Sequence, residues 1–137
     1  MSSDLSIQLK NRFSELSRLK EALHQYCEFR ELPSNIVFAL TLSLDEVVTN
    51  VISYGYGDRD EHLINVTLSS GKGVIEVSVE DDGKPFNPLE YKTPDLQCPI
   101  DERPVGGLGI YLVRTYMNEL EYERAGGKNR LTMRKDI

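Results

Sequence analysis

Hydrophobic and polar positions alternate at the start of the chain and then change period. Over residues 4 to 9, leucine and isoleucine alternate with polar residues, which predicts a strand. From Asn11 the apolar positions recur with helical spacing, which predicts a helix running to about Arg30. Its apolar face is formed by Phe13, Leu16, Leu19, Leu23, Tyr26, Cys27 and Phe29.

A second helical pattern follows directly. Pro33 ends the first helix and suits the first turn of a new one. Gly55 and Gly57, in a turn-forming run at 54 to 58, predict where this second helix ends. Its apolar positions are Ile36, Val37, Leu40, Leu44, Val47, Val48 and Val51.

Two strands joined by a tight turn come next. Residues 63 to 68 and 74 to 80 are predicted strands, and residues 70 to 73 form the hairpin turn between them. The second strand alternates apolar and polar residues and runs into Asp81-Asp82-Gly83. The pattern therefore predicts an antiparallel hairpin with an acidic end.

The last third of the chain combines a loop, a helix and two strands. Residues 87 to 105 contain four prolines and little periodicity, and a loop of this length in a compact domain is often a functional lid. A glycine-rich segment at 106 to 109 opens an apolar helix. Two strands are predicted at 119 to 125 and 130 to 135.

Length and charge narrow the class of protein. A chain of 137 residues suggests one domain, over 1–137, large enough for a hydrophobic core. The net charge of −6 argues against a nucleic-acid binder, because no basic stripe is available to neutralise phosphates. A small phosphorylated ligand remains possible, since backbone amides bind phosphate without lysines.

Cysteine usage and hydropathy predict a cytoplasmic protein with no membrane contact. Cys27 and Cys98 are too few for a disulfide framework, and Cys27 is expected to be a buried thiol. The first ten residues contain no signal-peptide core, and no segment approaches the roughly 20 apolar residues that span a bilayer.

A carboxylate and an amide lie one turn apart within the second helix. Glu46 and Asn50 are spaced i, i+4 and so share one strip of the helix, with Tyr54 one turn further. Such a pair at the rim of a core can hold a hard cation such as Mg²⁺ or orient a hydroxyl for attack. The alternative is a solvated polar strip with a weak contact between the two side chains.

The acidic turn after the second hairpin strand is another candidate. Asp81 at the end of an apolar strand can accept a hydrogen bond from an amino group on a planar base. Gly83 would let the backbone approach that ring closely. The alternative is an acidic turn without a ligand.

The glycine-rich segment at 106 to 109 is the third candidate. Glycines before a helix expose backbone N–H groups at the positive end of its dipole, which suits a di- or triphosphate. A glycine-rich hinge without a ligand is the alternative. The segment is not a Walker A loop, because no Gly-Lys-Ser/Thr follows, and no parallel repeat makes it a dinucleotide fingerprint.

The order of these three motifs resembles the GHKL ATPase superfamily, and within it the bacterial anti-sigma-factor serine/threonine kinases. Glu46-x-x-x-Asn50 is similar to the N-box, Asp81-x-Gly83-x-Pro85-Phe86 to the first glycine box, and Gly106-Gly107-x-Gly109 to the second. The resemblance runs from the first helix to the last strand. It implies an α+β, two-layer sandwich of the Bergerat type, with helices on one face of a mixed, mostly antiparallel sheet.

The resemblance also implies roles for individual residues. Asn50 would bind Mg²⁺ and bridge to ATP, Glu46 would be the general base, and Asp81 would take the adenine amino group above Gly83. The phosphates would meet the amides of Gly107, Leu108 and Gly109, and Arg103 would reach the terminal phosphate. Thr132 would supply a hydroxyl near the base. The two histidines, His24 and His62, match no motif of the family and are expected to face solvent.

Three positions depart from the family's pattern. Tyr54 stands where relatives often have histidine, and Pro85 stands where many members have a second glycine. Near the end of the chain, Gly127-Lys128-Asn129 replaces the Gly-Thr of many relatives.

The resemblance implies a kinase that phosphorylates an anti-anti-sigma (STAS-type) protein and, when free of it, sequesters a sigma factor. The alternative is a regulatory module that binds ATP and controls a partner without phosphorylating it. A homodimer through the first helix is also possible.

Overall fold

The computed structural model describes residues 4 to 90 and 107 to 137. The strands in these ranges are β1 (Leu5–Lys10), β2 (Leu63–Gly71), β3 (Val74–Asp81), β4 (Glu119–Ala125) and β5 (Lys128–Asp136). The helices are α1 (Leu16–Phe29), α2 (Ser34–Tyr54) and α3 (Gly107–Tyr116). Short 3₁₀ turns lie at Phe13–Glu15 and Pro88–Glu90.

The five strands form one sheet in the order β1-β2-β3-β5-β4. All four pairings are antiparallel, so the described strands show none of the parallel pairing that a mixed sheet implies. β3 lies in the middle, with β2 on one side and β5 on the other. The predicted α+β class and the antiparallel hairpins are therefore confirmed.

The helices cover one face of this sheet. In β3, Ile75, Val77 and Val79 are buried in the core, and strand alternation turns Glu76 and Glu80 to the other face. Matching inward positions on the neighbouring strands belong to the same core cluster. The hydrophobic core therefore lies between the sheet and the helices, and the uncovered face is polar.

Helix α2 is the central helix of that core. Leu40, Leu44 and Val48 are fully buried in it. By length and composition its 21 residues would suffice to cross a membrane, so the prediction that no segment approaches that limit is wrong for this helix. Its apolar surface packs against the sheet, which accounts for the composition without a bilayer.

The first helix begins later than its apolar pattern predicts. Glu15 accepts a hydrogen bond from the backbone N–H of Lys10 (2.9 Å), which ties the 3₁₀ turn to the end of β1. Phe13 and Phe29 are 57% and 83% exposed, so they do not belong to the buried face. Cys27 is buried and makes no disulfide, as expected from the sequence.

Candidate functional site

A pocket lies where α2, α3 and the ends of β3 and β5 meet. Most of its wall is apolar, and its polar groups come from two asparagines, an aspartate and a tyrosine. The lining residues are Val47, Asn50, Val51, Val79, Asp81, Phe86, Pro88, Ile110, Tyr122, Asn129 and Leu131. Apolar walls with a few fixed polar groups suit a planar heterocycle.

Asn50 brings an unpartnered amide to this pocket. The residue is 8% exposed, and its Nδ2 atom is buried without a hydrogen-bond partner among residues 4–90 and 107–137. A buried polar atom without a partner is uncommon in proteins, and because Nδ2 can only donate, the partner that suits it is an acceptor such as a phosphate oxygen. An amide oxygen is also a ligand type that Mg²⁺ accepts, so this side chain fits a Mg²⁺–phosphate group.

Glu46 lies one turn before Asn50, where α2 meets the start of α3. Its carboxylate contacts Gly109 so closely that a β-carbon there would overlap the Oε2 atom. Burial raises the pKa of the Glu46 carboxyl, and the negative charge of Asp45 raises that pKa further. A half-buried carboxylate with a raised pKa is suited to accept a proton at neutral pH.

Asp81 occupies the next inward position after the apolar residues of β3. It is 6% exposed, and its Oδ1 atom accepts hydrogen bonds from Gly83 N (2.8 Å) and Asn129 Nδ2 (3.0 Å). Burial raises the pKa of the Asp81 carboxyl, and these two hydrogen bonds partly offset that effect. Within the described part of the chain, Oδ2 makes no hydrogen bond, which leaves one acceptor for a ligand.

Gly83 is required by packing against the end of α2. A β-carbon at this position would overlap the carbonyl oxygen of Gly55, and the next residue, Lys84, donates its N–H to that same oxygen (2.7 Å). The turn after β3 is thereby fastened to the C-terminus of α2. The expected position of Gly83 beneath an adenine ring stays a prediction.

The second glycine box opens α3, as the sequence predicted. Gly107, Leu108 and Gly109 form its first turn, and Gly109 lies against Glu46. Arg103 and most of the predicted lid at 87 to 105 lie outside the described residues. Contact of these groups with phosphate therefore stays a prediction.

Thr132 is not in the pocket, which corrects its assignment near the base. It pairs with Ser78 across β3 and β5, and the two hydroxyls are 3.5 Å apart. This pair lies three residues from the Asp81–Asn129 pair, so strand alternation puts it on the opposite, uncovered face of the sheet. Asn129 is the β5 residue that adjoins Asp81.

Asn129 belongs to the segment that departs from the family's Gly-Thr, and the sequence predicts no site role for it. In the structure it is 5% exposed and bonded to Asp81, and Tyr122 of β4 donates its hydroxyl proton to it. The signal that would have identified it is strand pairing, since Asn129 is the residue opposite Asp81.

The expectation that both histidines face solvent holds for one of them. His24 is exposed, whereas His62 stacks on Tyr56 with ring centroids 4.2 Å apart. The His62 ring also bonds Asp58 (2.7 Å) and Asp82 (3.1 Å). Among residues 4–90 and 107–137, no group of three or more histidine, cysteine or acidic side chains is arranged to hold a metal.

Three relatives with known names match about two thirds of this chain. The serine/threonine-protein kinase BtrW of Bordetella bronchiseptica is 31% identical over 96 residues, which cover 70% of this chain and 68% of the relative. The anti-sigma F factor of Clostridium novyi is 32% identical over 103 residues, covering 69% and 67%. The serine-protein kinase RsbW of Bacillus velezensis is 29% identical over 64% of this chain and 58% of its own length.

Solved structures extend the similarity to the fold. The RsbU and RsbW domains of a Mycobacterium tuberculosis protein superpose with a TM-score of 0.71 at 16% identity, over 96% of this chain and 31% of that one. A histidine kinase domain from Erythrobacter litoralis superposes with a TM-score of 0.55 at 19% identity, covering 90% and 59%. The model of the histidine kinase-like ATPase domain matches residues 9–135. The chain therefore belongs to the histidine kinase-like ATPase family.

Proposed function

We propose that this protein is an ATP-dependent serine/threonine kinase that acts as an anti-sigma factor. The observation that carries the proposal is one pocket that combines the free carboxylate oxygen of Asp81 with the unpartnered amide of Asn50, next to the carboxylate of Glu46. Asp81 would accept a hydrogen bond from the adenine amino group, Asn50 would bind the Mg²⁺–phosphate group, and Glu46 would accept a proton. Relatives named as serine kinases and as an anti-sigma factor support the same assignment.

In the proposed reaction the adenine lies against the apolar walls, and its amino group donates to Asp81. Asn50 would hold Mg²⁺, which when bound neutralises charge on the phosphates. The acceptor hydroxyl of a partner protein attacks the γ-phosphorus, the bond to the β-phosphate oxygen breaks and ADP leaves. Glu46 takes the hydroxyl proton. The amides of Gly107, Leu108 and Gly109, with Arg103, would bind phosphate.

The proposed partners follow the relatives' names. The acceptor would be an anti-anti-sigma protein of the STAS type, and the sequestered protein a sigma factor, both in the cytoplasm. The whole chain would act as one domain with a lid at 87 to 105. A homodimer is consistent with two exposed phenylalanines, Phe13 just before α1 and Phe29 at its last position, and sedimentation equilibrium of the wild type would test it.

Transfer of radiolabelled phosphate from ATP to the anti-anti-sigma protein tests the kinase. We expect Glu46→Gln to lower label transfer roughly 10²- to 10⁴-fold, because the amide cannot take the proton. ATP affinity should change little. Glu123→Gln, an exposed position on β4, is the matched control and should transfer label like the wild type.

Two results would contradict the proposal in different ways. Equal transfer by wild type and Glu46→Gln would remove Glu46 as the base. A wild type that binds ATP and responds to it in partner binding, yet transfers no label, would instead identify a regulatory module that does not phosphorylate its partner.

A further inference from the structure

Asn129 is the centre of a hydrogen-bond network in the wall of the pocket. Its Nδ2 atom donates to Asp81 Oδ1 (3.0 Å) and to the carbonyl oxygen of Lys84 (2.8 Å). Its Oδ1 atom accepts from Phe86 N (3.2 Å) and from the hydroxyl of Tyr122. Three separate elements, β3, β4 and the turn after β3, are thereby joined through one side chain of β5.

The neighbours fix which way the amide points. A carbonyl oxygen can only accept and a backbone N–H can only donate, so Lys84 and Phe86 together determine the positions of Nδ2 and Oδ1. Both Nδ2 protons and both Oδ1 lone pairs then have partners. Asn129 therefore has no hydrogen-bonding capacity left for a ligand and can act only through its neighbours.

The neighbour that faces the ligand is Asp81. Two donors, Gly83 N and Asn129 Nδ2, hold its Oδ1 atom, while Oδ2 has no hydrogen bond within the described part of the chain. A carboxylate held through one oxygen presents the other in a fixed direction. Without Asn129, the single bond from the adjacent turn would leave the carboxylate free to rotate about its Cβ–Cγ bond.

We propose that Asn129 is a positioning residue that aims the free oxygen of Asp81 at the exocyclic amino group of the adenine. This inference rests on the proposed function, because it assumes that ATP occupies the pocket. It makes a specific statement about selectivity: the preference for a purine with a 6-amino group depends on Asn129, although Asn129 lines the pocket without a hydrogen bond to spare for the nucleotide. Tyr122 contributes through its bond to Asn129.

The test compares ATP with purine riboside 5′-triphosphate, which lacks the 6-amino group. Calorimetry on the full chain would give the affinity of both nucleotides for wild type, Asn129→Leu and Tyr122→Phe. We expect the wild type to prefer ATP by at least about tenfold, since a site built to bond an N–H rejects an analogue without it. Asn129→Leu should lose that preference by weakening ATP binding alone, with the analogue bound as before.

Two further variants distinguish a role in positioning Asp81 from a nonspecific disruption of the pocket structure. Tyr122→Phe removes only one of the hydrogen bonds of Asn129, so it should reduce the preference for ATP in part. This variant tests the proposal even if Asn129→Leu does not fold. Asn118→Ala is the matched asparagine control: Asn118 holds the N–H of Asp136 (2.9 Å) and does not line the pocket. It should leave the ATP preference of the wild type unchanged.

The outcomes distinguish this inference from the proposed function. If Asn129→Leu and Tyr122→Phe weaken both nucleotides equally, or leave the ATP preference intact, Asn129 does not aim Asp81 and the inference is overturned while ATP binding stands. If the wild type binds neither nucleotide, the proposed function fails and this inference fails with it.

Discussion

The carboxylate of Glu46 lies against Gly109, and only the absence of a side chain at position 109 permits that contact. It joins the polar strip of α2 to the first turn of α3, the two elements that would carry the proton acceptor and the phosphate-binding amides. Any side chain at position 109 must therefore move either the carboxylate or the helix start.

The first prediction concerns Gly109→Ala. Alanine is favoured over glycine in a helix by about 1 kcal/mol, so we expect no loss of folding stability from helix propensity. The added β-carbon would displace the Glu46 carboxylate, and displacement of a reacting group by about 1 Å can lower the rate about 100-fold. Label transfer to the partner protein would measure the loss.

Gly71→Ala is the control for this prediction. A β-carbon at Gly71, at the end of β2, would meet no atom within 4 Å, so transfer and melting temperature should match the wild type. Full activity of Gly109→Ala would mean that Glu46 is free to withdraw from α3 without loss of function.

The second prediction uses the orphaned amide of Asn50. Because its Nδ2 atom makes no hydrogen bond to any residue that the structure describes, Asn50→Ala should change the free energy of unfolding by less than about 1 kcal/mol. Loss of the metal-phosphate ligand should weaken Mg·ATP binding by at least about tenfold. Calorimetry in the presence of Mg²⁺ and thermal unfolding without nucleotide would measure the two effects separately.

Ser43 provides a matched control on the same helix. Its hydroxyl is also buried without a partner in the described part of the chain, but the residue does not line the pocket. Ser43→Ala should retain the wild-type affinity for Mg·ATP. An Asn50→Ala protein with unchanged affinity would remove Asn50 from the site.

A third prediction follows from the charge beside the proposed base. Asp45 raises the pKa of Glu46, in addition to the larger effect of burial. Asp45→Asn removes that charge, so the pKa of Glu46 should fall while staying above its ordinary value. The base must be ionised to accept a proton, and the acidic limb of kcat/KM, which reports the free enzyme, should therefore move to lower pH.

Asp45→Glu keeps the negative charge and is the control, with an acidic limb close to that of the wild type. An acidic limb that Asp45→Asn leaves in place, or moves to higher pH, would show that the group titrating in kcat/KM is not Glu46.

Periodicity alone predicted most of what positions the site. The alternation of Ile75, Val77 and Val79 points one strand face to the core, and the same parity carries Asp81 inward. The i, i+4 spacing likewise placed Glu46 and Asn50 on one strip of α2. In both cases the relation is local, since it depends on the geometry of a single element.

What the sequence did not predict depends on pairing between elements. Whether Thr132 or Asn129 adjoins Asp81 depends on the register of β5 against β3, and a shift by one residue exchanges the two faces of a strand. The contact between Gly83 and Gly55 likewise joins residues distant in the chain. Such relations arise only when the elements pack.

The fourth prediction concerns His62, which joins the loop after α2 to the acidic turn after β3. The hydrogen bond and charge of Asp58, with a smaller effect of Asp82, raise the pKa of His62 above its ordinary value of 6.5. Protonated His62 is thus favoured in the folded protein. Its contribution to stability is fully present below about pH 6.5 and is lost as pH rises through the higher folded-state pKa.

Thermal unfolding between pH 5.5 and 8.5 would measure this contribution. The melting temperature of the wild type should exceed that of His62→Gln most at the acidic end, and the difference should shrink as the pH rises. The same contact lowers the pKa of Asp58 from 3.8, so the contribution of that carboxylate changes only at more acidic pH, outside this range. His24→Gln, at an exposed position of α1, should follow the wild-type curve. A difference between wild type and His62→Gln that is constant with pH would show that His62 stabilises this turn by stacking on Tyr56 alone and not by its charge.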